Sequence, residues 1–352
     1  MARGGGFAPH KSLRSSVSRP FRNRQIRPAL RVPRNFKSSS SIFRETRFAG
    51  RLLNADHLIR DNGRVNRTRF GGVYAATVTP FGKTGRVNHP ALAKLVRRLL
   101  DQGLDGVCPA GTTGEFPMLT AAEKEMACAT ACRTARDRGT VIAGTWGASR
   151  AERAWLARRA EKSGASAVFL TTPYFYSSTP EYLLDWYRGV KRASRLPVFA
   201  YNIPQCTANE IPLRVLDILA GEGTISGYKD SSPSLPRLKS VIKLLMGRVA
   251  VFAGHESHFH LGRDLGADGF ISGLANAYPL TVRAVWDGDP RAARRLAAIH
   301  AVVGRCGYIP SVKYILRLRG FPAGAVREPV SPLSIKARNE LRRLEERFGP
   351  GR

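Results

Sequence analysis

From Val73 onward the chain repeats one pattern: a short apolar or β-branched run, a turn, then a longer stretch whose apolar positions recur at helical spacing. The runs that read as strands are residues 73–79, 106–110, 141–146, 167–172, 197–203, 225–229, 249–254 and 269–274. Between them lie amphipathic stretches such as "HPALAKLVRRLLDQG", "SRAERAWLARRAEKSG", "TPEYLLDWYRGVKRAS" and "SLPRLKSVIKLLMG". Several open on Ser, Thr or Pro and several close on Gly, as helix ends do. Eight such units in about 230 residues predict an α/β architecture, the (β/α)8 TIM barrel, because parallel strands joined through helices need right-handed crossovers. A doubly wound open sheet is the alternative, but no G-x-G-x-x-G follows the first strand. Residues 279–348 add helical patterns, including "SVKYILRLRG" and "SIKARNELRRLEERFG", expected to pack on the barrel side or to mediate assembly. The predicted division is a leader over 1–69, the barrel over 70–300 and a C-terminal helical extension over 301–352.

Composition changes the picture mainly at the N-terminus. The 352 residues are 43% hydrophobic and carry a formal net charge of +31. Residues 1–69 hold 17 Lys/Arg against 3 Asp/Glu, so nearly half of the excess sits in a fifth of the chain. That stretch is rich in Arg, Ser and Pro without apolar periodicity, and is expected to be disordered. It is similar to an organellar transit peptide or to a leader without function; an RNA-binding arm ranks third, because no aromatic RNA-binding motif accompanies the charge. The expected location is cytoplasmic, or organellar if the leader is an address. Apolar runs stop short of the roughly 18 residues that span a bilayer, so a soluble protein is expected. Cys108, Cys128, Cys132, Cys206 and Cys306 are scattered with no C-x-x-C pair, which favours a reducing compartment over a disulfide scaffold or a zinc ribbon.

In a TIM barrel the chemistry sits at the C-terminal ends of the strands. Those tips read "TPF", "AGTTGEF", "TWG", "TPYFY", "YNIP", "KDSS", "GHE" and "SGLAN", small and polar where the strand bodies are apolar. Lys229 ends the sixth strand. Burial disfavours an ammonium, and a neutral amine attacks a ketone to give a Schiff base, which withdraws electrons from the neighbouring carbon. The plain alternative is a surface ion pair with Asp230. Tyr201 ends the fifth strand, next to the sixth, where a phenol can pass the protons that imine formation and aldol cleavage require. Thr112 and Thr113 stand between glycines in "GTTGE", where hydroxyl and backbone donors suit a small carboxylate.

"GTTGE", "TPY", "YNIP" and "GYKDSS", in this order and spacing, resemble the dihydrodipicolinate synthase and N-acetylneuraminate lyase family of Schiff-base (β/α)8 enzymes, over roughly residues 70–340. The resemblance implies a carbon–carbon lyase or aldolase acting on pyruvate or another 2-oxo acid with an aldehyde partner. It further implies no cofactor or metal, and a homotetramer or dimer. It also implies that Lys229 forms the imine, Tyr201 relays protons, Thr112 and Thr113 hold the carboxylate and assist the relay, and Gly254 and Ile271 line the 2-oxo acid through their backbones. Two departures bear on substrate. Cys206 stands where synthases of the family carry a carboxylate-binding arginine, and Phe175 where they carry a second tyrosine donated across a subunit interface. With "KDSS" after the strand, these favour a 2-keto-3-deoxy sugar acid or related hydroxylated 2-oxo acid over the 4-hydroxy-tetrahydrodipicolinate synthase reaction.

Two rivals remain. "HESHFH" gathers His255, Glu256, His258 and His260, but the spacing is not that of an H-E-x-x-H zinc helix, and pocket-rim roles are expected instead, with His255 nearest the substrate. A degenerate barrel with a basic nucleic-acid-binding arm would show salt-sensitive binding indifferent to Lys229.

Overall fold

The computed structural model describes residues 70–349, Met1, and the backbone of residues 58–61 and 64–67. Most of the predicted leader therefore lies outside the described residues. Within it, Leu58–Asp61 and Arg64–Arg67 pair as antiparallel strands.

Eight parallel strands close into a barrel in sequence order: β1 (Gly72–Ala76), β2 (Gly106–Cys108), β3 (Thr140–Gly144), β4 (Ala167–Thr171), β5 (Val198–Asn202), β6 (Gly227–Asp230), β7 (Ala250–Ala253) and β8 (Gly269–Ser272), which returns to β1. Successive residues face opposite sides, so each strand contributes to two cores. Tyr74, Cys108, Ile142, Phe169, Phe199, Tyr201, Phe252 and Ile271 fill the barrel interior. Val73, Val107, Val141, Val168, Val198, Tyr228, Val251 and Phe270 belong to the outer core beneath the helices. Gly227 is needed inside, since a Cβ there would lie 2.2 Å from the Phe199 ring.

The helical layer comprises α1 (His89–Asp101), α2 (Ala121–Ala135), α3 (Arg150–Lys162), α4 (Pro180–Ala193), α5 (Leu213–Gly221), α6 (Leu235–Leu245), α7 (Phe259–Asp264) and α8 (Pro279–Trp286). The polar residues at their starts act as caps: Asn88, Ser149, Thr179 and Ser234 accept from first-turn N–H groups, and Thr120 with Glu123 forms a reciprocal capping box. Each is worth about 1 kcal/mol. After β7 the helical segment is short, a 3-10 turn over Glu256–His258 leading into the six-residue α7.

Three more helices follow, α9 (Pro290–Cys306), α10 (Tyr308–Leu318) and α11 (Ile335–Phe348), so α9 runs across residue 300, where the sequence pattern put the barrel's end. α9 packs on α8 and α11. Arg319 bonds both Glu345 oxygens, at 2.7 and 2.9 Å, tying α11 to the end of α10. α10 does more than flank the barrel, because two of its side chains reach the strand tips. Among the described residues no helix is long and apolar enough to cross a membrane.

Candidate active site

Lys229 points into the barrel from the penultimate position of β6 and is 5% exposed. It stands in register with Tyr201 on β5, and its Nζ lies 4.3 Å from the centroid of the Tyr201 ring. The neighbouring Asp230 faces the other way by strand alternation. Its carboxylate accepts from the Tyr228 hydroxyl (2.8 Å) and the Ser232 N–H (2.7 Å) and pairs with Arg237 at 3.4 Å. A surface ion pair between Lys229 and Asp230 is thereby ruled out. Burial and the Asp230 carboxylate hold the Tyr228 phenol well above its ordinary pKa, so it stays a donor. This outward network fixes the strand end from which the lysine projects.

Gly254 makes room for that projection. Its N–H donates to the Asp230 carbonyl at 2.7 Å, and a Cβ there would lie 2.6 Å from Lys229 Cε and 2.3 Å from Ser231 Oγ. Ile271 faces the interior from β8 opposite Tyr74. Cys108 shares the interior, where burial pushes its thiol up to about 12 against the pull of the nearby Lys229. Tyr201 is 3% exposed overall.

The "GTTGE" loop closes a tight turn in which the Glu115 N–H donates to Thr112 O (3.0 Å) and the Phe116 N–H to Gly111 O (3.2 Å). Thr113 is 7% exposed, while Thr112 Oγ1 is enclosed with no hydrogen-bond partner among the described residues. A buried hydroxyl without a partner has bonding capacity left for a ligand. Glu115, at φ 61°, sends its carboxylate inward to Lys313 of α10, and its Oε2 accepts the Arg327 N–H at 2.8 Å. Lys313 also donates to Ala325 O (2.7 Å) and lies over the Phe81 ring. Burial pushes its amine down to about 8, with Glu115 pulling the other way. The loop is thus clamped from beneath by a buried ion pair.

The remaining sequence-selected residues lie further out. Cys206 is exposed on the one-turn helix Pro204–Thr207, while its neighbour Gln205 donates to Ser231 O at 2.7 Å and joins the loops after β5 and β6. His255 is half-buried, with Nδ1 2.7 Å from Ser257 Oγ, and burial, His300 and His258 lower its pKa. Of the "HESHFH" side chains only His255 and His258 come together, ring centroids 4.9 Å apart, while His260 is exposed and Glu256 turns inward to β8. Phe175 is 81% exposed at φ 77°, whereas Tyr174 stacks on Trp146 at 4.4 Å.

The chain that carries this buried lysine and tyrosine is similar to known proteins. The profile of the Dihydrodipicolinate synthetase family matches residues 69–347. The chain belongs to this family. An uncharacterized DapA-like lyase of Halobacterium salinarum is 33% identical over 278 residues, 77% of this chain and 91% of the relative. The crystal structure of dihydrodipicolinate synthase from Aquifex aeolicus superposes with a TM-score of 0.75 at 31% identity, over 79% of this chain and 98% of that one. A prophage protein of the family from E. coli K12, solved in complex with pyruvate, gives a TM-score of 0.75 at 26% identity, over the same shares. The chain is accordingly an enzyme of the carbon–carbon lyase class, in a family that works through a lysine Schiff base.

Within this family frame, the strand tips were legible in the sequence and the contributions of α10 and α9 were not. Tyr308, first residue of α10, donates its hydroxyl to Glu256 Oε1, and Glu256 Oε2 stands 3.8 Å from His300 Nε2 on α9. Asn276, fully buried after β8, accepts the Val78 N–H (3.0 Å) and donates to Ala76 O and Gly273 O (both 2.7 Å), bracing the ends of β8 and β1. Only the "SGLAN" tip hinted at Asn276; nothing in the pattern around Tyr308 pointed to the barrel mouth.

Proposed function

We propose that Lys229 condenses with pyruvate or a related 2-oxo acid, and that the enzyme makes or breaks the bond between its C3 and an aldehyde carbon. The observation that carries this reading is the buried Lys229 in register with Tyr201, its Nζ 4.3 Å from the ring. The amine attacks the ketone carbon, and the carbinolamine loses water to give the imine. Loss of a C3 proton then yields the enamine, whose carbon attacks the aldehyde; cleavage runs the same steps backwards. Tyr201 moves the protons of these steps, and Thr112 and Thr113 hold the carboxylate, for which the unpartnered Thr112 Oγ1 is suited. Gly254 and Ile271 line the 2-oxo acid along their backbones. A relative of 26% identity was solved with pyruvate, which supports that half of the substrate.

For the aldehyde half, the reading is a hydroxylated aldehyde, whose adduct with pyruvate is a 2-keto-3-deoxy sugar acid or another hydroxylated 2-oxo acid. The position after "YNIP" carries the uncharged Cys206, and Phe175 has no hydroxyl to lend to a relay. A second reading, 4-hydroxy-tetrahydrodipicolinate synthesis from pyruvate and aspartate semialdehyde, is favoured by relatives of that name such as the one from Aquifex aeolicus, 32% identical over 288 residues. Exposed Phe175, Tyr176 and Tyr182, around a cavity of about 760 Å³ with Trp146 and Tyr174, support a homodimer or tetramer in which a second copy covers this face.

Borohydride reduction in the presence of pyruvate tests the imine: a pyruvyl adduct on Lys229 is expected, and an unmodified Lys229 overturns the reading. Turnover with pyruvate and a panel of aldehydes tests the branch. Hydroxylated aldehydes are expected to react best, and a clear preference for aspartate semialdehyde selects the second reading.

A further inference from the structure

On the flank of the barrel, among α1, α8, α9 and the end of α11, lies a cavity of about 400 Å³ that none of Lys229, Tyr201, Thr112 or Thr113 borders. Its charge is out of balance. Among the described residues, four guanidinium groups line it, those of Arg98, Arg291, Arg295 and Arg319, against the single carboxylate of Asp289. Asp289 is committed to capping α9, where it accepts the Arg291 N–H at 2.7 Å. Arg319 is paired with Glu345, and Arg295 donates to the carbonyls of Phe348 (2.5 Å) and Gly349 (3.4 Å). Arg98 is different. It projects half-buried from the last turn of α1, its guanidinium has no carboxylate or hydrogen-bond partner among the described residues, and the charge that acts on it is that of Arg319. Burial and this like charge both lower its pKa. Two cations sharing a half-enclosed space is a cost that an anion between them removes. Gln102, one turn on, places a buried side-chain oxygen at the same cavity without a partner, and half a turn of its amide presents NH2 there instead. α8 begins beside it at Pro279 with no side chain capping it, and its first-turn residues Leu280 and Thr281 border the space.

We propose that this cavity is a second ligand site, for a small phosphate ester whose phosphoryl group is held by Arg98 and Arg291 and whose organic part lies on Ala284, Ala292 and Phe348. It is independent of the imine reading of Lys229. Two guanidinium forks without carboxylates, beside an uncapped helix start, match an oxyanion of two charges better than a single carboxylate. The volume is that of a small-molecule pocket and more than inorganic phosphate fills. A nucleic-acid strand fits the site poorly, because single strands bind on open aromatic faces. Here the aromatic rings are covered by arginines, Tyr278 by Arg319 at 4.5 Å and Phe348 by Arg295 at 5.6 Å.

The test is calorimetric titration of the full chain with glycerol 3-phosphate and with inorganic phosphate, at an ionic strength held constant with chloride. Saturable binding at one site per chain is expected, tighter for the ester and unchanged by saturating pyruvate. Arg98→Gln is expected to weaken it about 10–100-fold, the loss that follows from removing a charge-assisted hydrogen-bond donor. Affinity within about threefold of the parent in that variant overturns the proposal. If Arg98→Gln does not fold, Arg291→Gln, at an exposed position, takes its place under the same criterion. No saturable binding at millimolar ligand, or inorganic phosphate binding as tightly as the ester, also overturns it. Competition by pyruvate would put the anion in the barrel mouth instead. Binding of a single-stranded oligonucleotide that is likewise lost in Arg98→Gln would give the arginines to nucleic acid, and either result refutes the assignment.

Discussion

Gly254 lies against the stem of Lys229 so closely that a single added carbon would sit 2.6 Å from Cε. Gly254→Ala is therefore expected to displace the amine while the barrel still folds. Overpacking of this kind costs about 1–3 kcal/mol. The rate of borohydride-trapped adduct formation with pyruvate should fall at least about 10²-fold, a larger effect than that stability loss explains. Circular dichroism checks the fold, and an unchanged trapping rate would mean that Lys229 does not need its present position.

Tyr201→Phe separates the ring from the hydroxyl. The ring packs against Phe169 at 6.0 Å and under Lys229, and the substitution keeps both contacts. Turnover is expected to drop about 10²–10⁴-fold, the range of general acid–base catalysis. Stability should change by no more than about 0.5 kcal/mol in urea denaturation, since no protein hydrogen bond is broken. A turnover loss below tenfold would move the proton transfer elsewhere.

The Glu115–Lys313 pair, 0% and 1% exposed, makes a statement about pH. Lys313 titrates near about 8 in the folded protein against an ordinary 10.5, so between those values the unfolded chain binds more protons. Stability contributed through this group therefore rises with pH across that window. Compared with Glu115→Gln/Lys313→Met, the parent should gain stability between about pH 8 and pH 10. Lys313→Met alone should cost about 3–5 kcal/mol near neutrality by stranding Glu115. Parallel urea-stability curves for parent and double variant across the window would refute the assignment.

Phe175 holds an exposed ring on a left-handed backbone at φ 77°, a conformation costly for an aromatic residue unless something uses it. With the homo-oligomer proposed above, Phe175→Asp is expected to raise the dissociation constant between copies at least about tenfold by placing a charge in a desolvated contact. Sedimentation equilibrium measures it, and unaltered association would place the interface on another face.

The barrel and most of the site could be read from the chain because strand tips are local: Lys229 interrupts an apolar run, Tyr201 closes one, and "GTTGE" punctuates another. What pattern reading misses is set by side chains that stand in for backbone. The first strand reads as 73–79 but pairs only over Gly72–Ala76. Beyond it Val78 donates to the side chain of Asn276, 198 positions away, an exchange that leaves no period in the sequence. Tyr308 and Lys313 hide for a related reason. They lie on a helix with an ordinary amphipathic pattern, and their partners Glu256 and Glu115 belong to other turns of the barrel. "HESHFH" looked like a cluster because its residues are neighbours in sequence, but Glu256 takes its bonds from β8 and the loop after it.

Those α10 contacts also bear on how the enzyme comes into being. Domains form largely as the chain emerges, N-terminal parts first. All eight strands, including Lys229 and Tyr201, precede Tyr308, Lys313 and Arg327 in order of synthesis. A nascent or C-terminally clipped barrel would carry its reactive amine before the "GTTGE" loop is clamped and before Glu256 has its phenol. The clamp on the "GTTGE" loop therefore arrives only with the last fifth of the chain, and a C-terminally clipped barrel is expected to lose activity with every strand intact.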